Sequence, residues 1–223
     1  MSAHKTKSGS GEVEGPQQVK LAVFSGKGGV GKSTLSALIA SAAGDSLLID
    51  CDPQASVSYW GDLREDDPEV LAVPPTRIKA ALKKRQERVV IVDTPGALVS
   101  GTIDALKQMD LIVVVTPVDT FELAALNDTL NTAELAQVPV VIVINRLHPQ
   151  ANAETARAVL SELGVPVCPV VMRERAVHRH ALADGSTCLE RQPFGNASGE
   201  VKQLWSWLWS QIPAVQAMDE GSA

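Results

Sequence analysis

The sequence predicts a three-layer α/β fold, a mostly parallel sheet with helices on both faces. Short runs rich in valine and isoleucine recur along the chain without polar alternation, as strands buried on both faces require. Helix-length segments separate them, so successive strands run parallel and connect by right-handed crossovers. The length of 223 residues suits one such domain, and 45% apolar with 21% charged residues is the balance of a globular core beneath a polar surface.

Residues 1–18 hold almost no apolar side chains, so burial there cannot offset the entropy of ordering, and a flexible tail is expected. The folded domain is expected over 19–213, with a second tail over 214–223. Strands are expected at Val19–Phe24, Leu47–Asp50, Val89–Asp93, Leu111–Thr116, Val138–Ile144 and Val165–Val171. Between and after them the spacing predicts helices over Lys32–Ala43, Thr76–Glu87, Glu122–Leu135, Ala151–Leu163 and Gly199–Ile212. The last carries Leu204, Trp205, Leu208, Trp209 and Ile212 on one face with Trp207 off it, which predicts a helix docked on the sheet. No internal repeat interrupts the strand–helix alternation.

Charge and cysteine content exclude several classes. Lys+Arg 20 against Asp+Glu 26 leaves a net charge of −6, so the chain does not coat nucleic acid by bulk charge and would need a local basic patch. The three cysteines, Cys51, Cys168 and Cys188, are odd in number and lack CxxC spacing, which argues against a disulfide framework or zinc site and for a reducing cytosol. Cys51 reads as a small buried filler. No apolar run approaches the ~18 residues of a membrane span, and no apolar leader follows Lys5 and Lys7. A soluble cytoplasmic protein is expected.

One motif carries chemistry. Gly26-Lys27-Gly28-Gly29-Val30-Gly31-Lys32-Ser33, followed by Thr34, fits GxxxxGK[ST] and sits between the first strand and the first helix. Glycines let backbone N–H groups turn inward around a phosphate, and the helix N-terminus adds partial positive charge. Lys32 would reach the β/γ-phosphates of ATP and the Ser33 hydroxyl would ligate Mg²⁺. Downstream, Asp50-Cys51-Asp52-Pro53-Gln54 ends the second strand, and a carboxylate beyond a strand's C-terminal end faces the ligand side of such a sheet. Asp52 could there orient or deprotonate an attacking water, and Asp50 could hold a metal's water shell. Val89-Val90-Ile91-Val92-Asp93-Thr94-Pro95-Gly96 ends a buried strand in the carboxylate that a nucleotide-bound metal requires. Asn145, beside Arg146 after the strand Val138–Ile144, offers both a donor and an acceptor, matching the adenine edge.

The second lysine of the loop, Lys27, is not needed by an ordinary phosphate loop. With it, KGGVGKST resembles the deviant Walker A motif of the ParA/MinD family of P-loop ATPases. The D-x-D-P-Q and DTPG motifs, DPQASVSYW and the later RAVHRHALADG extend the similarity over roughly Val19 to Glu190. The resemblance implies a slow, partner-stimulated ATPase in which Lys27 crosses an ATP-dependent homodimer interface to the partner's nucleotide, and Asn145 contacts the base. The family usually writes DTPP, so Gly96 departs from its pattern. The similarity is to the small ParA branch, for which no fused helix-turn-helix domain is expected. It further implies nonspecific DNA binding, a nucleoid-associated location, a ParB-like or cargo-adaptor partner, and movement of a plasmid, chromosome or protein assembly.

Two stretches are candidates for the DNA-facing patch. Arg77, Lys79, Lys83, Lys84, Arg85 and Arg88 form one; Arg173, Arg175, Arg179 and Arg191 form the other. Arg175 and Arg179 share a face if their stretch is helical. A membrane-cycling MinD-like regulator and a metabolic P-loop ligase stay open as alternatives. The first is disfavoured because Lys202 is the only basic residue on the terminal helix, the second by Lys27 and the D-P-Q motif.

Overall fold

The computed structural model describes residues 18–83, 85–118 and 122–212. Six strands form one sheet in the order β3-β2-β4-β1-β5-β6, with every neighbouring pair parallel. They are β1 (Val19–Phe24), β2 (Ser46–Asp50), β3 (Glu69–Ala72), β4 (Val89–Asp93), β5 (Leu111–Thr116) and β6 (Val140–Ile144). The helices are α1 (Lys32–Ala43), α2 (Ser56–Asp62), α3 (Ile78–Leu82), α4 (Thr102–Leu106), α5 (Glu122–Glu134), α6 (Ala153–Ser161), α7 (Ala176–Leu182), α8 (Cys188–Arg191) and α9 (Asn196–Ser210).

The period-2 geometry of a strand splits each apolar run between two cores. Leu21 and Val23 of β1, Ile91 of β4 and Val113 of β5 point towards α1 and α9. Ala22 and Phe24, Val90 and Val92, and Ile112 and Val114 point to the other side, against α4, α5 and α6. Both faces are dry, which is why these strands carry no polar alternation. Helix α9 docks as its apolar face predicts, burying Val201, Leu204 and Leu208, while Trp205 and Trp209 pack against each other with ring centroids 5.4 Å apart. No helix among the described residues is long and apolar enough to cross a membrane.

Several expectations need correction. The stretch Val165–Val171 runs beside β6 but makes only an isolated bridge, Ile142 to Val167, with a second beyond both segments from Leu147 to Arg173. Pro166 and Pro169 lack the N–H a continuous ladder needs. The helix expected over Thr76–Glu87 shrinks to a 3₁₀ turn at Pro75–Arg77 and the five residues of α3, of which only Ile78 is buried, so little packing holds a longer helix. Strand β3 escapes a hydrophobic reading because it is a four-residue edge with half its side chains exposed. The short helices α2, α4, α7 and α8 fall below the length at which periodicity is legible. Gln18, assigned to the tail, donates its amide to the Glu87 carbonyl at 3.1 Å. Residues 1–17, Lys84 and 214–223 lie outside the described residues.

Helix α2 is tied to the α7–α8 corner by two aromatic and cationic side chains. The Trp60 indole N–H donates to the Ser186 carbonyl at 3.1 Å, and the Arg64 guanidinium lies 4.6 Å from the centroid of that ring. Arg64, with its side chain 5% exposed, also donates to the Gly185 and Asp67 carbonyls, both at 2.6 Å, and to Glu190 at 2.7 Å. Burial alone would raise the Glu190 carboxyl; Arg64 and the Thr187 N–H and hydroxyl outweigh it and hold it below the usual carboxylate range. Arg64→Met is therefore expected to cost about 2 kcal/mol at neutral pH, read as a lower melting temperature. A depressed carboxylate contributes stability above its usual range and loses it on acidification, so the difference from wild type should narrow as pH falls below that range. An unchanged melting temperature at pH 7 would refute the tie.

Candidate nucleotide site

The loop after β1 is shaped by its glycines. Gly29 and Gly31 have φ of +79° and +90°, the left-handed region where a side chain is strained. Gly31 is the N-cap of α1 and offers no side-chain cap, so the first N–H groups of the helix have no side-chain acceptor and face the loop interior. Lys32 is buried, and its Nζ donates to the Lys27 carbonyl at 2.9 Å, bracing the loop from inside. Burial lowers the Lys32 pKa, while Asp93 and Asp52 oppose the shift. The Lys27 side chain lies on the exposed rim.

Parallel pairing sets Asp50 opposite Asp93 at the C-terminal ends of β2 and β4. Asp93 is fully buried; Oδ1 accepts from the Ser36 hydroxyl at 2.9 Å, and Oδ2 has no partner among the described residues. Burial pushes its carboxyl up to about 7, opposed by the Ser33 and Ser36 hydroxyls. A buried, orphaned carboxylate oxygen beside Ser33 fits a divalent cation. No cluster of three His, Cys, Asp or Glu side chains is arranged to hold a metal among the described residues, so such a cation would draw its remaining ligands from phosphate and water.

Asp50 is differently engaged from the sequence reading. Its Oδ1 accepts from the Asp52 N–H at 3.0 Å, and its Oδ2 accepts from both the N–H and the hydroxyl of Ser58 at 2.8 Å. It anchors the loop and the start of α2. Asp52 accepts from the Gln54 N–H at 2.9 Å and stands half-buried on the cavity wall. The Cys51 thiol is buried and pushed up to about 12, chiefly by that burial, and stays protonated as an inert filler. Gly96 brings the next loop close: a Cβ there would sit 3.2 Å from the Gly28 Cα.

A cavity of about 730 Å³ opens over the loop, within the range of small-molecule sites. Gly28, Gly29, Gly31, Lys32, Ser33 and Thr34 line one part, Asp52, Gln54 and Gly96 a second, and Asn145, Arg146, Met172, Arg173, Arg175, His178 and Arg179 a third. Gly26 and Val30 complete the loop outside that wall; the Gly26 N–H donates to the Thr129 hydroxyl at 3.2 Å. The Asn145 amide donates to the Val30 carbonyl at 2.9 Å, so its donor half is spent on the loop and its oxygen remains for a ligand. Arg146 donates to the Gly29 carbonyl at 2.7 Å and to Glu174 at 3.4 Å.

The four arginines expected to face DNA do not form one uniform patch. Arg173 donates to the carbonyls of His148, Pro149 and Ala151. Arg175 is the extended N-cap of α7, paired with Glu200, so it shares no helical face with Arg179. Arg191 pairs with Asp184. Arg179 alone of the four is exposed without an ion pair or hydrogen bond among the described residues. In the other stretch, Arg85 pairs with Glu69 and Glu87, and Arg88 lies 5.2 Å from the Trp209 ring centroid, while Arg77, Lys79 and Lys83 are exposed.

Sequence reasoning passed over His178. It is buried on the cavity wall, and neither ring nitrogen has a partner among the described residues. Burial lowers its pKa, with Glu200 opposing and Arg175 adding to the effect, so the ring is neutral at pH 7. Although His178 falls within RAVHRHALADG, that stretch is read for its arginines, and nothing local marks the ring as lacking a partner.

The family model described as CobQ/CobB/MinD/ParA nucleotide binding domain matches residues 21–187. The maintenance of carboxysome distribution protein A of Gloeobacter kilaueensis is 30% identical over 187 residues, 76% of this chain and 83% of that protein. The protein of the same name from Halothiobacillus neapolitanus is 29% identical over 203 residues, 82% and 93%. Among solved structures, apo McdA of Cyanothece aligns with a TM-score of 0.72 at 16% identity, covering 86% of this chain and 100% of that one. Septum site-determining protein MinD of Pyrococcus horikoshii, complexed with Mg-ADP, aligns with a TM-score of 0.70 at 17% identity, covering 89% and 99%. The match over residues 21–187 and the relative at 30% identity place this chain in the CobQ/CobB/MinD/ParA family of nucleotide-binding proteins.

Proposed function

We propose that this chain is a ParA-type positioning ATPase with one catalytic domain over 19–213. It binds ATP with Mg²⁺, dimerises, holds DNA without sequence preference and hydrolyses ATP slowly until an adaptor protein stimulates it. The observation that carries the reading is the division of labour between two lysines of one loop: Lys32 buried beneath the phosphate path, Lys27 on the exposed rim. A single nucleotide site needs only the first. Relatives named for maintaining carboxysome distribution support a protein assembly as the cargo, and the reading takes the nucleoid in the cytoplasm as the track.

In this reading the Gly26–Thr34 backbone and Lys32 hold the phosphates, and Ser33 and Asp93 hold the cation, which neutralises charge building on the phosphate oxygens. Asp50 fixes the loop that carries Asp52, and Asp52 orients the attacking water. Asn145 presents its free oxygen to the exocyclic amine of adenine, with Arg146 bracing Gly29 beneath. DNA contact falls chiefly to Arg179 and to Arg77, Lys79 and Lys83, which are exposed and make no ion pair among the described residues.

Retention of nonspecific duplex DNA tests the whole. Wild type with ATP and Mg²⁺ should bind at low salt, fall steeply as salt rises, and release with ADP. Asp52→Ala should bind ATP normally, hydrolyse it about 100-fold more slowly and stay on DNA longer. Arg179→Glu or Lys79→Glu/Lys83→Glu should lose DNA while keeping the ATP-bound dimer, and the variant that does so names the DNA face. No retention by wild type under any nucleotide would overturn the DNA-based reading.

A further inference from the structure

We propose that His178 is a nucleoside-recognition residue, reading the sugar–base end of the bound nucleotide through its ring nitrogens. The inference deepens the nucleotide-site reading above and rests on it. Sheet order sets the direction of the ligand. The loop after β1 fixes the phosphates at the middle of the sheet, and Asp52 and Gly96 close in from the β2 and β4 side. The sugar and base are then left with the β5–β6 side, where Leu38, Asn145, Met172 and His178 form the wall. Asn145 supplies one acceptor there.

Among the described residues the buried side-chain atoms without a partner are Ser41 Oγ and Glu87 Oε2, away from this cavity, and three atoms at the two ends of the site. At the phosphate end it is Asp93 Oδ2; at the other end it is both nitrogens of His178. His178 is only 8% exposed, and a buried polar group without a partner costs stability unless something else meets it. The groups that could have met it are engaged elsewhere: Arg175 with Glu200, and Arg173 with the backbone at 148–151. A neutral imidazole offers one donor and one acceptor, and a nucleoside presents both kinds of group, on ribose hydroxyls and on the base edge. Inorganic tripolyphosphate has neither ribose hydroxyls nor a base edge.

Calorimetry of His178→Leu with Mg-ATP and with Mg-tripolyphosphate, beside thermal melts of the nucleotide-free protein, tests this. Leucine removes the unmet nitrogens while filling the space, so the free protein should melt no lower than wild type. ATP affinity should drop about tenfold, as for one lost hydrogen bond, while tripolyphosphate affinity stays unchanged. His178→Asn, which keeps a donor and an acceptor, should recover most of the ATP affinity and stands in if the leucine variant fails to fold. Unchanged ATP affinity in His178→Leu or His178→Met would overturn the proposal and make His178 a core residue only. An equal loss of ATP and tripolyphosphate would overturn it too, because the effect would then lie in the loop. A wild type that binds neither ligand would overturn the nucleotide reading itself.

Discussion

Lys32→Ala should lose ATP affinity by at least about 100-fold and abolish measurable hydrolysis. The ammonium is buried beneath the loop, so its attraction for phosphate is little screened, and charge-assisted contacts of this kind are among the strongest a site can make. The same burial means the free protein has little to lose. Lys32 is held by one carbonyl contact in a setting that already depresses its pKa, so alanine should leave the melting temperature near that of wild type. Calorimetry with Mg-ATP and a melt of the free variant check both halves. Undiminished affinity would remove the phosphate-loop assignment.

Lys27→Ala should separate binding from assembly. Its side chain stands on the rim, not within the cavity wall, so ATP affinity of the monomer should stay within about threefold of wild type. Dimer formation with ATP, followed by light scattering, should disappear, and turnover should fall by 100-fold or more, the scale seen when a charge supplied in trans to a transferring phosphoryl group is removed. Normal dimers with normal turnover would restrict Lys27 to a solvated surface role.

How far the sequence leads can be judged residue by residue. VVIVD implies both the burial of Asp93 and its place at a strand end, because five consecutive apolar-to-acidic positions can only be a strand dry on both faces. The glycine and lysine spacing implies the loop because backbone conformation there depends on residue type at fixed offsets. What stays illegible depends on partners far along the chain. The Asp50 carboxylate is taken up by Ser58, the Asn145 amide by Val30, and Arg175 by Glu200. None of these pairings leaves a local pattern. His178 is the extreme case, since its distinguishing property is the lack of any partner within the described fold. The edge strand β3 and the broken ladder at Pro166 and Pro169 were obscured for a simpler reason: half-exposed and proline-interrupted backbone does not carry a clean apolar period.

The contact between Gly31 and Asn145 has a consequence for inheritance. A Cβ at position 31 would lie 2.4 Å from the Asn145 amide nitrogen, so the loop and the end of β6 interlock with no room between them. The two positions stand 114 residues apart, with five strands and most of the helices encoded in between. A recombinant gene with its breakpoint in that interval takes the lock from one parent and the key from the other. It yields a working site only when both parents carry glycine at the first position and an asparagine-sized side chain at the second. Breakpoints after residue 145 keep the pair together, and the ties of Trp60 to Ser186 and Arg64 to Glu190 then become the next constraint on exchange.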